Sequence, residues 1–290
     1  MTTVSILSDI ACHLGEGPTY HPQSDTLFWF DILGKKLLEK RWPDGDVVVH
    51  DLPVMASALA VIDADRQILV TETGLHIRDV RTGKLTLHRP VEADNPLTRS
   101  NDSRVHPSGA LWFGTMARTE EKGGGSIRWY FKGEIRTLFP GIGIPNSICF
   151  SPDGRIAYYT DTAINLLMRV DCDPATGLPT GEPTVFYDQR KDKGGLDGSV
   201  VDAEGVLWNA RWGAASLDAY SPDGKRIRSI PMPAKQSSCP CFVGPKADRM
   251  IVTSAYHSYD AKARERDPQA GKTFLVDLPL EGRFDPPVAL

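Results

Sequence analysis

Short apolar and aromatic runs, separated by turn-forming clusters, recur along the whole chain. TLFWFDI (26–32), QILVTET (67–73), LWFGTM (111–116), IAYYTDT (156–162), LWNARWG (207–213) and RMIVTSA (249–255) are each about one strand long. They are rich in β-branched and aromatic residues, the composition of buried strands. HPSG (106–109), SPDG (151–154) and DAEG (202–205) precede three of these runs, and SPDG recurs at 221–224. Such Asp/Ser/Pro/Gly clusters are turns. Further hairpins are expected in LHIRDVRTGKLTLHR, turning at Thr82-Gly83, and in SIRWYFKGEIRTLF, turning at Lys132-Gly133. No stretch has the period of an amphipathic helix. The polar segment 256–270, YHSYDAKARERDPQA, reads as a surface loop with a short helical turn.

Aligned on their turns, the runs define a repeat. Its copies begin at Glu16, Ala58, Asn101, Asn146, Asp197 and Cys239, in steps of 42, 43, 45, 51 and 42 residues. A strand-built repeat of that length is a propeller blade. The expected architecture is therefore all-β: one six-bladed β-propeller domain over residues 1–290. A strand near Val4–Ile10 has no hairpin partner of its own. It is expected to pair with Lys272–Leu278 and close the last blade, removing the open edges.

In a closed ring, equivalent positions converge on the axis. Four of the six carry a side-chain oxygen: Glu16 in LGEGP, Asn101 in RSND, Asn146 in IPNS and Asp197 in LDGS. Taken singly, such residues beside glycines usually serve local turns. Taken together at one register they make an oxygen-only cluster suited to Ca²⁺, Mg²⁺ or Mn²⁺. Two carboxylates buried on an axis without a cation would be costly. Four protein oxygens fall short of calcium's usual ~6–8 ligands, which leaves room for water or substrate. Arg99, two residues before Asn101, would face the same side of a strand, while Asp102 would face away. Trp212 is a candidate for the rim of the same mouth. The histidines His13, His21, His106 and His257 have no ligand spacing, and Ser147 and Ser199 lack a nucleophile setting.

Composition narrows the classes. The net charge of −4 comes without a basic run, which argues against nucleic acid. The five cysteines form no disulfide framework or zinc motif. They suit a reducing compartment. The N-terminus lacks a signal pattern and no run approaches a membrane span, so a cytoplasmic protein without membrane contact is expected.

The motifs LGEGP (14–18), RSND (99–102), WFGTM (112–116), PNS ahead of SPDG (145–154) and LDGSVVD ahead of EGVLW (196–208) resemble those of the senescence marker protein/regucalcin/gluconolactonase group of six-bladed propellers. The resemblance extends over nearly the full length. It implies one divalent cation on the axis, held by Glu16, Asn146 and Asp197, with Ca²⁺ expected and Zn²⁺, Mg²⁺ or Mn²⁺ as alternatives. It also implies substrate contacts from Arg99 and Asn101 and hydrolysis of a small-molecule sugar lactone. Asp197 is then the expected general base, and a monomer or weak homo-oligomer the expected state. One departure stands out. Some members place an acidic substrate contact shortly after GTM, where this chain has Arg118 and Thr119, with Glu120 and Glu121 displaced. Arg118 is accordingly a candidate substrate contact. Two other readings use the same ligands: a calcium-binding regulatory protein without turnover, and an esterase or organophosphate hydrolase.

Overall fold

The computed structural model describes residues 2–290. Six four-stranded antiparallel sheets surround an axis. Their innermost strands are Gly15–His21, Ala56–Val61, Thr98–Val105, Pro145–Phe150, Gly195–Val201 and Ser237–Val243, in blades 1 to 6. Each of the six repeat positions read from the sequence lies on one of them.

Burial falls from the axis outward. The second strands are buried, Thr26–Asp31 in blade 1 and Leu111–Ala117 in blade 3 along their whole length and the others at all but one end residue. The outermost, such as Val47–Asp51 and Arg226–Pro231, are largely exposed. An inner strand is covered on both faces by the neighbouring blades. The second strands therefore read as continuous apolar runs rather than alternating ones. Each junction between adjacent blades holds one apolar cluster. Phe28, Phe30, Leu59 and Leu69 fill the first, Trp112, Trp129, Phe150 and Tyr159 the third, and Trp208, Leu217, Met250 and Phe274 the fifth. The Lys132-Gly133 turn has φ of 49° and 84°, the two positive values of a tight twisted hairpin.

The ring closes as expected. Thr3–Ser8 pairs with Thr273–Asp277, with Val4 opposite Val276, and supplies the outermost strand of blade 6. The 256–270 segment carries a single helical turn, α1 (Ala261–Arg266), whose N-cap Asp260 accepts from the Ala263 N–H at 2.7 Å. All five cysteines are buried and free. Among the described residues no helix is long and apolar enough to cross a membrane.

A second closure has no strand pattern. Residues 281–290 run across one end of the axis and tie the blades together. The Ala203 N–H donates to Glu281 O at 2.7 Å, Gly282 N–H to Ala247 O at 3.0 Å, and Val288 N–H to Val61 O at 2.8 Å. At its centre Asp285 pairs with the buried Arg104 of blade 3 at 3.1 Å. Arg104 also donates to Ser199 O of blade 5 at 3.3 Å. Removing one member of a desolvated pair leaves the other uncompensated. Asp285→Asn is expected to lower unfolding free energy by on the order of 3 kcal/mol, read by chemical denaturation. Replacing both residues with apolar ones should recover much of that loss; a double variant as unstable as the single one would contradict this account.

Candidate active site

All six innermost strands carry a pairing irregularity close to the repeat register, for example between Glu16 and Thr19 and between Leu196 and Ser199. Bulges of this kind turn side chains out of the sheet plane. Glu16 and Asn146 stand immediately before the irregularity, and Asn101 and Asp197 within it. The residues after Glu16 and Asn146 both adopt the left-handed conformation: Gly17 at φ 55° and Ser147 at φ 56°. At Gly17 a Cβ would run into the Ser57 carbonyl of blade 2, so only glycine fits. Ser147 is strained and is held by its own side chain. Its Oγ donates to Asp197 O of blade 5 at 2.5 Å and accepts from Ser199 Oγ and Asn209 Nδ2, each at 3.1 Å.

A hydrogen-bonded row links three of the expected residues. Arg99 Nη1 donates to Asn101 Oδ1 at 2.7 Å, and Asn101 Nδ2 donates to Asn146 Oδ1 and Pro145 O, each at 2.9 Å. Asn146 Nδ2 donates to Thr162 Oγ1 at 2.9 Å, which donates on to Leu196 O at 2.7 Å. The row divides the four-oxygen register. Asn101 gives its oxygen to a guanidinium, so it faces a cation already. Asn146 keeps acceptor capacity on Oδ1 and lines the same cavity as Glu16 and Asp197.

Those two carboxyls are buried and within reach of one another. Burial, and then the charge of Asp102, push Glu16 up to about 8, opposed by the Gly17 N–H, the Arg99 charge and a hydrogen bond shared with Asp197. Burial and the Glu16 charge push Asp197 well above the usual carboxylate range. Burial also raises Asp102 to about 6, although it accepts from the Ile148 N–H at 2.7 Å and the Ser103 N–H at 2.8 Å. Asp102 thus faces away from the mouth and serves the backbone, as expected from its position. Arg99 is lowered to about 10 by burial, opposed by Glu120 and Glu16, and stays charged at neutral pH. Two acidic groups at one point share one nearby arginine. The set of Glu16, Asp197 and Asn146 is oxygen-only and anionic, which fits a hard divalent cation. Among the described residues no group of three His, Cys, Asp or Glu side chains could hold a metal, so such a cation would depend on the Asn146 carboxamide.

These residues form the floor of a cavity of about 200 Å³. Glu16, Arg99, Asn101, Asn146, Asp197 and Trp212 all line it, together with Thr162, Glu120, Gln236, His257 and Ser258; its apolar walls are Leu14, Met116 and Ile144. Arg118 is placed elsewhere. Its guanidinium pairs with Glu72 of blade 2 and donates to Pro96 O at 2.8 Å, outside the cavity lining. The acidic group at this edge is instead Glu120. Gln236, just before the innermost strand of blade 6, and His257 and Ser258, just after its second strand, match no motif read from the sequence. His257 lies at the start of the segment that reads as a polar surface loop.

The chain matches the SMP-30/gluconolactonase/LRE-like region over residues 14–256. It is 49% identical over 280 residues to a Rhizobium meliloti (strain 1021) protein provisionally named a sugar lactone lactonase, covering 97% of this chain and 95% of that one. It is 33% identical over 278 residues to the L-arabinolactonase of Azospirillum brasilense, covering 94% and 91%. A crystal structure from Agrobacterium tumefaciens, described as a calcium-binding protein, regucalcin, superposes with a TM-score of 0.97 at 50% identity, covering 98% and 97%.

The raised carboxyls have a consequence for stability in chelator. A group whose folded pKa is raised stabilises the fold below its unfolded value and loses that contribution as pH rises through the folded one. For Glu16 the window runs from about 4.5 to about 8. The melting temperature in chelator should therefore fall across that window, and a divalent cation should restore it at pH 8. Asp197→Asn should remove much of the fall and the cation's effect together, as read by scanning fluorimetry. A flat profile for the unsubstituted protein in chelator would contradict the electrostatic account.

Proposed function

Because the chain belongs to the SMP-30/gluconolactonase/LRE-like family, we propose that it is a lactone hydrolase that opens sugar-acid lactones with a divalent cation, Ca²⁺ in the first instance, held by Glu16, Asn146 and Asp197. The observation that carries this reading is the pair of buried carboxyls beside a charged arginine on the floor of one cavity. The cation would supply Lewis-acid polarisation of the lactone carbonyl and charge balance for the two carboxylates.

The residues themselves divide the remaining work. Arg99 commits Nη1 to Asn101 and to Ser100 O at 2.9 Å; among the described residues Nε and Nη2 have no protein acceptor. Those donors grip lactone oxygens and turn binding into alignment. Asn101, locked at both ends of its amide, keeps Arg99 in place. Asp197, when ionised, takes a proton from the attacking water onto a carboxylate oxygen as the new C–O bond forms. The ring C–O bond then breaks, and the proton passes from Asp197 to the departing ring oxygen. The product is the open hydroxy acid. Ten of the fourteen lining residues are polar by type and offer hydrogen-bond partners to a polyhydroxylated substrate, although more of the surface facing the cavity is apolar than polar. The site draws on five of the six blades, so residues 1–290 act as one unit.

A calcium-binding role without turnover is the second reading. It is favoured by the description of the Agrobacterium tumefaciens structure as a calcium-binding protein. Metal-stripped protein, assayed by pH indicator on a panel of aldonolactones with Ca²⁺, Mg²⁺, Mn²⁺ or Zn²⁺ restored, separates the two. Turnover restored by a cation is the expected result, with Asp197→Asn lowering kcat about 10²–10⁴-fold. Arg99→Leu should raise KM more than it lowers kcat. Tight cation binding with no turnover on any lactone would replace the hydrolase by the binding protein.

A further inference from the structure

The ring of blades sets two walls of the cavity against each other. Blade 3 carries Arg99, Asn101 and Glu120; blade 6, diametrically opposite, carries Gln236, His257 and Ser258. The walls meet at the mouth, where His257 Nε2 lies 3.4 Å from Glu120 Oε1. On the blade 6 wall of the cavity, two buried polar atoms have no hydrogen-bond partner among the described residues: Oε1 of Gln236 and Nδ1 of His257. Gln236 is only 9% exposed, and an unsatisfied buried carbonyl is costly.

Neither residue is loosely held. The Gln236 backbone bridges Trp212 of blade 5, and its carbonyl accepts from the Ala255 N–H at 3.0 Å. Its Nε2 donates to His257 O at 3.2 Å, which fixes the amide and leaves Oε1 free. His257 packs against His13, with ring centroids 5.5 Å apart, and His13 stacks on Tyr256 at 5.1 Å. A rigid amide and an imidazole with spare capacity, facing an arginine across a small cavity, constitute a recognition surface for neutral hydroxyl groups.

We propose that Gln236 and His257 form the wall that reads the hydroxyls of the bound ligand, and so set which polyhydroxylated lactone is accepted. This rests on the lactonase reading for the identity of the ligand. A lactone held by Arg99 on the blade 3 side presents its far hydroxyls to blade 6. There a hydroxyl that enters the wall donates to Gln236 Oε1, which is otherwise sealed from water and has no partner among the described residues. The His257 contact with Glu120 is exchanged for contact with the ligand. A site built to pair with a hydroxyl rejects an analogue lacking it, because its polar group is then stranded.

The test compares Gln236→Leu and His257→Phe with the unsubstituted protein. Each is assayed on aldonolactones and on their singly deoxygenated counterparts, and each has its Ca²⁺ affinity measured by calorimetry. The expected result is a preference for one hydroxylated lactone over its deoxy partner of about tenfold or more. That preference should collapse towards unity in Gln236→Leu through KM, with Ca²⁺ affinity unchanged. His257→Phe, on an outer loop, is expected to fold in any case and to show a smaller loss. Preferences unchanged in both variants would overturn the proposal while leaving the lactonase reading intact. If the unsubstituted protein hydrolyses no lactone, that reading fails on its own. Calorimetric binding of the same lactones then decides: affinity weakened in the variants sustains the wall, and affinity unchanged or absent overturns it.

Discussion

Two carboxyl groups, Glu16 and Asp197, are forced together on the axis of a closed ring, away from water. Neither would adopt that position for stability, since desolvation and mutual repulsion both favour the neutral forms. What holds them is the ring itself. Neighbouring innermost strands are joined in sequence at this level. Ser57 Oγ donates to Asn101 O at 2.5 Å, Asn101 Nδ2 to Pro145 O at 2.9 Å, Ser147 Oγ to Asp197 O at 2.5 Å, and Ser238 Oγ to Gly15 O at 2.5 Å. Gly17 against Ser57 and Gly198 against Cys239 complete the circuit by close approach. Separating the two carboxyls would mean breaking contacts around the ring and the apolar clusters behind them. The blades therefore overdetermine a local arrangement that is unfavourable by itself, as functional sites commonly require.

The two ends of the axis are treated differently, and this gives the molecule a direction. At one end the 281–290 segment seals the ring. Arg104 is neutralised there by Asp285, and Tyr20 stacks on Phe284 with ring centroids 5.6 Å apart. At the other end Arg99 is not matched by a single carboxylate of its own. Its partners are the carboxamide of Asn101 and the diffuse field of Glu16, Glu120 and Asp197. Charge is thus paired and closed where the strap lies, and left open to a ligand where the cavity lies. Asp102, between the two, spends its oxygens on backbone N–H groups.

The ring and most of its floor were legible in the sequence for a geometric reason. The distance from each axial residue to the following turn is kept from blade to blade, so aligning turns aligned Glu16, Asn101, Asn146 and Asp197. The same register could not tell a cation ligand from a substrate contact. That distinction lies in where the Asn101 amide points, and Arg99 decides it. Arg118 read as a substrate contact from its place after GTM, but Glu72, forty-six residues earlier, draws its guanidinium away. Gln236 was invisible because its place in the repeat is held by the unlike residues His13, Met55, Thr98, Gly143 and Gly194 in the other blades, and His257 because it lies in a segment that reads as a surface loop. The strap was also silent: DPPVAL has no strand pattern, and its role exists only once the ring is closed.

The division between ring and connections also bears on how specificity can be set. Glu16, Asn146 and Asp197, the proposed cation donors, sit on innermost strands whose register is locked by neighbours on both sides. Gly17 and Ser147, in left-handed backbone, fix the direction of those donors, and the tolerance for change there is small. His257 and Glu120 stand on segments that leave the sheets and meet over the mouth, and Gln236 stands at the edge of the innermost strand of blade 6. Their side chains can differ without disturbing the bulges below. The same floor can therefore serve different lactones, or a cation alone, according to what the walls present. A tight cation site is consequently weak evidence about the substrate, and the chemistry of the blade 6 wall is the stronger guide to it.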